Sequence, residues 1–353
     1  MKKDFYFELA DKFKAGSSQT FLKILKFVVN GEKEARILLA LPGSPREVAK
    51  KLGKEESEIA RKLKDLHMRG FTILEGITPG GPRYSLMGLG HFMDSVLFDP
   101  KYDKYGDEFF ELWKTFCNQE LLPAQKEDSS FNFRVLPLEE TIRKTKILPY
   151  ESASQMVESA RKIAVQRCPC RKRERRCDAP LEVCISLNEL ADYVLKRQLG
   201  RQITKDETLG LLKDCEKKWG LIHQTVNSDH PDVICNCCSC CCVVLRAVIY
   251  YRKKAAASKS RFRPQVDPSK CTECLKCTRV CYFSAMINKD GQRIYQEDNC
   301  YGCGLCASNC PNGAIELVEV LPPEHIPPGK GYGVGWKIPD EWSISKEVNS
   351  AED

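Results

Sequence analysis

The decisive stretch is Cys271-Thr272-Glu273-Cys274-Leu275-Lys276-Cys277-Thr278-Arg279-Val280-Cys281. It is answered by Cys300-Tyr301-Gly302-Cys303-Gly304-Leu305-Cys306-Ala307-Ser308-Asn309-Cys310-Pro311. Both runs have the spacing C-x2-C-x2-C-x3-C. Three closely spaced thiolates can wrap three irons of one cube, while the fourth cysteine, on a following helical turn, points away toward a second cube. The spacing predicts one cluster on Cys271, Cys274, Cys277 and Cys310, and another on Cys300, Cys303, Cys306 and Cys281. Gly302, Gly304 and Ala307 leave backbone N–H groups free to approach sulfur, and such hydrogen bonds tune a cluster's potential. The competing reading is structural zinc. Zinc ribbons, however, use two separated C-x2-C pairs rather than two four-cysteine runs.

Residues 265–318 resemble the bacterial-type ferredoxin that holds two 4Fe–4S clusters. The resemblance implies an electron-transfer domain of low potential. Cys281 is followed by Tyr282, where that family usually has proline. This departure touches local backbone more than ligation.

Ten further cysteines lie upstream. Cys168-Pro169-Cys170-Arg171 opens a run that continues to Cys177 and Cys184, and Cys235-Asn236-Cys237-Cys238-Ser239-Cys240-Cys241-Cys242 follows. Cys-x-Cys in an extended strand puts two sulfurs about 7 Å apart on one face, whereas consecutive cysteines point to opposite faces. The block at 235–242 therefore cannot aim all six thiolates at one metal. It splits between two sites, or between ligands and buried thiols. The combination of "CPCR…C…PLEVC" and "ICNCCSCCC" ahead of two four-cysteine runs looks like a group of multi-domain iron–sulfur proteins of anaerobic bacteria and archaea. That resemblance implies an architecture rather than a reaction, and one or two additional iron–sulfur clusters ahead of zinc. Cys117 and Cys215 stand alone and read as buried thiols. His223 and His230 read as local partners and not as ligands.

The rest of the chain reads as α+β, with a helical N-terminal half, a cysteine-rich middle and a C-terminal ferredoxin-like domain. Residues 1–30 read as helical. Helices at about 32–41, 45–52 and 55–69 follow, with Ser44 and Glu47 forming a capping box and Gly70 ending the series. A hairpin turning at Pro79-Gly80-Gly81-Pro82 completes a pattern resembling the winged helix-turn-helix fold. The expected division is 1–95 winged helix with its leading helix, 96–160 helical connector and 161–250 cysteine-rich domain. Then come a basic linker at 251–264, the two-cluster domain at 265–320 and a Pro/Gly-rich arm at 321–353.

The chain has 353 residues, a formal charge of +7 and twenty cysteines, nineteen of them between 168 and 310. Clustered thiols without an apolar leader predict a reducing, cytoplasmic setting and metal ligation, not disulfide staples. Val243–Tyr251 is short and broken by Arg246, so no membrane span is expected. No Gly-rich phosphate loop supports a flavin or nicotinamide site, and no nucleophile–base pair marks a catalytic centre. Arg161, Lys162, Arg167, Arg171, Lys172, Arg173, Arg175 and Arg176 crowd 161–176. They predict charge compensation near a cluster and docking of an acidic redox partner. The third helix would meet DNA with Glu55, Glu56 and Glu58, which favours protein docking over DNA binding. The expected function is low-potential electron transfer, with a redox-sensing regulator or an oxidoreductase subunit as the alternatives.

Overall fold

The computed structural model describes residues 4–78, 80–333, 335 and 338–339. The chain divides into two compact units. The first takes in the described residues of Met1–Leu121, Glu189–Arg201 and Gly333–Asp353, and the second is Leu122–Asn188 with Gln202–Tyr332.

The first unit is mainly helical. Its leading segment is two helices, Phe5–Lys12 and Gln19–Val28, where one was expected. The break has a local cause. Lys14 takes a left-handed φ of 61°, and the Ser18 side chain caps the second helix by accepting from the Phe21 N–H at 2.8 Å. Helices Gly31–Ala40, Pro45–Leu52 and Glu56–Met68 then lead into the antiparallel hairpin Thr72–Thr78/Gly81–Leu86. The capping box at Ser44 and Glu47 is formed in both directions. Pro79 of the turn lies outside the described residues. Gly70 has φ +83°, and a Cβ there would sit 1.8 Å from Ser95 Oγ, so only glycine fits this helix end. Phe13, Phe21, Phe92, Trp113 and Phe116 form a buried aromatic core, with Phe13 stacked on Phe92 at 4.8 Å. In the arm from 333 the Gly335 carbonyl accepts from the Leu74 N–H at 2.7 Å. Its residues 340–353 are outside the described set.

The second unit is built on a sheet whose strands run, in order, Ile163–Arg167, Glu182–Leu187, Val233–Cys237, Ile222–Val226, Phe133–Val135 and Ala257–Ser258. Neighbours pair antiparallel from Ile163–Arg167 to Phe133–Val135, and Ala257–Ser258 joins parallel. Val165, Ile185, Leu187 and Ile234 alternate onto one face and bury against Met156, Val157 and Leu212. The helix Lys205–Trp219 runs from its Thr204 cap to Gly220, as its sequence predicts.

Two expectations change here. Residues 125–160 of the supposed helical connector hold a strand, short turns and the helix Ala153–Ser159. Residues 251–264, read as a basic linker, contain strand residues Ala257 and Ser258 and the start of Phe262–Val266, which pairs with Ile315–Glu319. Arg261 is buried there against Glu151, so the basic composition hides an inward-facing ion pair. Among the described residues no helix is long and apolar enough to cross a membrane.

Candidate metal centres

The stretch 271–310 folds as two copies of one loop, offset by 29 positions. Glu273 and Leu275 have φ of 49° and 60°, and their counterparts Gly302 and Gly304 have 66° and 88°. Ser284 and Gly313 repeat the pattern at 54° and 58°. The first copy thus places ordinary residues in a left-handed conformation, which costs about 1–2 kcal/mol each. Glycine is obligatory at 302, because a Cβ would lie 2.1 Å from the Phe262 carbonyl oxygen. Each copy has a one-turn helix carrying the third cysteine, Cys277 in Lys276–Arg279 and Cys306 in Leu305–Ser308.

Two voids result. Cys271, Cys274, Cys277 and Cys310 line one. Cys281, Cys300, Cys303 and Cys306 line the other. The fourth cysteine of each run is exchanged into the other's set. Both exchanged sulfurs are held alike: Cys281 Sγ accepts from Ala285 N–H at 3.2 Å, and Cys310 Sγ from Ala314 N–H at 3.2 Å. The surroundings differ. Cys274 is exposed, whereas Cys300 and Cys306 are buried. The Leu138 N–H donates to the Cys303 carbonyl at 3.0 Å, so the segment 136–142 packs on the loop that carries Cys303. Burial pushes the Cys303 thiol up to about 12 and Cys306 well above its ordinary value. These thiols shed their protons only to a bound cation. Paired voids, four soft donors each and N–H groups on sulfur fit two iron–sulfur cubes.

The ten upstream cysteines separate into four and six. Sγ atoms of Cys177, Cys238, Cys240 and Cys241 all lie within 4.8 Å of one another. Cys168, Cys170, Cys184, Cys235, Cys237 and Cys242 form the other group, in serial thiol contact. Cys184 touches Cys235, Cys235 touches Cys237, Cys237 touches Cys242, Cys242 touches Cys170, and Cys170 touches Cys168. Strand register explains part of this. Ile185 pairs with Ile234, so continuing the ladder sets Cys184 opposite Cys235. Two consecutive pairs part company, Cys237 going with the six and Cys238 with the four, then Cys241 with the four and Cys242 with the six, while Cys240 and Cys241 stay together in the four. Three N–H groups address the six: Arg171 N–H to Cys168 at 3.5 Å, Val243 N–H to Cys170 at 3.4 Å and Gln224 Nε2 to Cys242 at 3.3 Å.

Residues 270–315 match the family described as a 4Fe–4S dicluster domain. Residues 270–315 are a 4Fe–4S dicluster ferredoxin domain. Over 54 residues the chain is 50% identical to an uncharacterized ferredoxin of Methanocaldococcus jannaschii, covering 15% of this chain and 32% of that protein. Over 56 residues it is 41% identical to the pyruvate synthase subunit PorD of Thermotoga maritima, 16% of this chain and 57% of that one. An archaeal-type glutamate synthase [NADPH] of Thermotoga maritima is 34% identical over 74 residues, 19% of this chain and 15% of that one. The chain thus spans about a third of the first relative's length and just over half of the second's. The ferredoxin domain is homologous to electron-transfer subunits of oxidoreductases.

Outside the ferredoxin domain, Arg171 is the residue that sequence reasoning undervalued. It is buried, and its guanidinium donates to the Asn236 carbonyl at 3.1 Å and to Cys238 Sγ at 3.7 Å. With its backbone N–H on Cys168 Sγ, the residue touches both sulfur groups. Hydrogen bonding from Cys241 lowers the Cys238 thiol, burial opposes this, and the Arg171 charge adds to the lowering. Arg173 is also buried, against Glu174 at 3.0 Å, while Arg161, Arg175 and Arg176 are exposed. A Cys-Pro-Cys-Arg order was the available signal, since an arginine three residues after a capping cysteine turns back over it. Histidines pair locally: His223 bonds Glu216 and Asn236, both at 2.7 Å, and His230 bonds Asp229 at 2.8 Å. Cys117 and Cys215 are buried. Tyr282 of the ferredoxin domain donates its hydroxyl to the Gly220 carbonyl at 2.6 Å, tying the loop after Cys281 to the end of the Lys205–Trp219 helix.

Proposed function

We propose that the protein is a cytoplasmic, low-potential electron-transfer protein whose ferredoxin domain carries two 4Fe–4S clusters. Cys271, Cys274, Cys277 and Cys310 would hold one, and Cys300, Cys303, Cys306 and Cys281 the other. The observation that carries this is the pair of cysteine-lined voids inside a dicluster domain. Bound there, each cluster would take up and return one electron. Exposed Cys274 would leave the first site open to an exchanging partner, while Cys300 and Cys306 of the second are buried. The names pyruvate synthase and glutamate synthase among the relatives fit a role beside an oxidoreductase. An acidic redox partner would meet Arg161, Arg175 and Arg176, the exposed part of the basic run.

The six-cysteine group offers more thiolates than a single tetrahedral ion accepts. It is the seat for a further, polynuclear iron–sulfur cluster. The buried Nε of Arg171 has no hydrogen-bond partner among the described residues, and a sulfide could accept from it. The test is iron and acid-labile sulfide on anaerobically purified whole protein. The ferredoxin domain alone accounts for about 8 of each, and the further cluster raises both to about 12. A value near 8 would withdraw the further cluster, and a value near zero the electron-transfer reading.

The helices Gly31–Ala40, Pro45–Leu52 and Glu56–Met68 with their hairpin serve in this proposal as a winged-helix protein-docking module. Glu55, Glu56 and Glu58 are exposed at the start of the third helix and would repel phosphate. The whole protein is expected not to retard duplex DNA at moderate salt. Salt-sensitive, sequence-selective retardation would turn the reading toward a redox-responsive regulator.

A further inference from the structure

Two kinds of sulfur arrangement coexist in this chain. In the ferredoxin domain each set of four thiols lines a void. In the group Cys177, Cys238, Cys240 and Cys241 every thiol lies within 4.8 Å of the other three, whereas the six-cysteine group meets only in series. Cys177 Sγ lies 3.7 Å from Cys238 Sγ and 3.9 Å from Cys241 Sγ, and Cys240 Sγ lies 3.7 Å from Cys241 Sγ. Four irons and four sulfides cannot fit among four sulfurs that all lie within 4.8 Å of one another. One ion can. A tetrahedron with metal–sulfur bonds of about 2.3 Å has sulfur–sulfur edges of about 3.8 Å, and the measured contacts straddle that length.

We infer that Cys177, Cys238, Cys240 and Cys241 bind a single tetrahedral divalent metal ion, zinc or ferrous iron, and not a third cube. The donor set is complete, because four thiolates close a tetrahedral ion and leave no open position. A metal tetrathiolate carries two negative charges, and buried cations offset them. The Arg171 guanidinium donates to Cys238 Sγ, and Arg246 Nη1 donates to the Cys240 carbonyl at 3.0 Å. Arg246 is itself buried. The site also has a structural task. It ties the loop after the helix Pro169–Glu174, through Cys177, to the turn between Val233–Cys237 and Val243–Ile249. The ion would pin this turn at the edge of the six-cysteine group, since Cys237 and Cys242 flank it.

The inference deepens the metal-thiolate reading of residues 168–242, on which it rests. The discriminating quantity is total metal minus acid-labile sulfide per chain, measured on the anaerobically purified full chain. Cubes contribute equal iron and sulfide, whereas a lone ion contributes metal only. An excess of about one metal ion is expected. The variant C177S/C240S should remove that excess and leave sulfide unchanged. If the variant loses about four iron and four sulfide together, the site is a cube and the inference falls, although the electron-transfer proposal stands. If wild type has metal equal to sulfide and the variant changes neither, the site is metal-free and the inference falls. Because the variant could misfold, a second measurement uses wild type grown with cobalt. The visible ligand-field bands of tetrahedral cobalt thiolate should appear beside the cluster absorbance, and their absence counts against the site. Retained ferredoxin-domain absorbance in C177S/C240S shows that the variant is folded.

Discussion

Glu151→Ala should destabilise the sheet-containing unit by about 3–5 kcal/mol, the cost of stripping one partner from a buried ion pair. Glu151 and Arg261 are each about 1% exposed. Arg261 Nε lies 3.0 Å from both carboxylate oxygens, and Nη2 lies 2.8 Å from Oε2. The fork geometry is bidentate, and such pairs are the strong ones. Removing the carboxylate leaves a guanidinium in the interior with Glu319, itself partly exposed, and the Leu321 carbonyl at 2.9 Å. Those acceptors recover only part of the loss. Arg261 immediately precedes the strand Phe262–Val266, and its own carbonyl accepts from Val320 N–H at 2.9 Å. The effect should therefore reach the ferredoxin domain. A loss of this size is a large share of the 5–15 kcal/mol that a typical domain has in total. The measurement is the urea midpoint of anaerobic protein, followed by far-ultraviolet circular dichroism and by bleaching of visible absorbance. Both midpoints should fall together. The double replacement E151L/R261M should be far milder, because a hydrophobic pair leaves no stranded charge. An unchanged midpoint in Glu151→Ala would show that the pair contributes nothing.

The same ion pair marks where sequence reading stops. Glu151 and Arg261 are 110 residues apart, so neither residue's neighbours announce the other. A run such as Arg252-Lys253-Lys254 followed by Arg261 and Arg263 looks like a solvated linker until its partner is located. The sheet escaped for a related reason. Its strands have two to six residues, too few for period-two alternation to stand out, and their pairing is largely nonlocal. The two void-lining sets of the ferredoxin domain were legible because six of their eight thiols lie in compact triplets, and the exchange of the fourth follows from helical direction. That neighbouring cysteines at 237 and 238 must diverge was legible too. That Cys177 joins Cys238, Cys240 and Cys241 was not. It depends on strand order and on how the loop after Pro169–Glu174 lies. The split of the leading helix turned on Lys14, whose left-handed backbone no propensity would have forecast.

The two halves of the ferredoxin domain should yield their iron to a chelator in two phases, about four irons in each. Their ligand sets are equal in number and kind, so any difference in lability comes from access. Cys274 is exposed and Cys271, Cys277 and Cys310 are half-buried, whereas Cys300 and Cys306 are buried. Beyond the Leu138–Cys303 hydrogen bond, Ile142 bridges to Leu317 and a Cβ on Gly304 would touch Thr141 Oγ1 at 2.9 Å. The first set is the more exposed, through Cys274, so chelator meets its thiolates sooner than those of the second set, where two of the four are buried. Backbone strain adds to the contrast, because Glu273 and Leu275 beside the first set hold left-handed conformations that glycine holds at both equivalent positions, 302 and 304. Coupling works against independence. Each set borrows its fourth thiol from the other run, so emptying the first site frees the segment around Cys310 and loosens Cys306 beside it. The slow phase should accordingly accelerate once the fast phase is complete, and C274S should abolish the fast phase while leaving about four irons in place. Iron release in one phase of about eight would mean that the exchanged cysteines couple the sites more strongly than burial separates them.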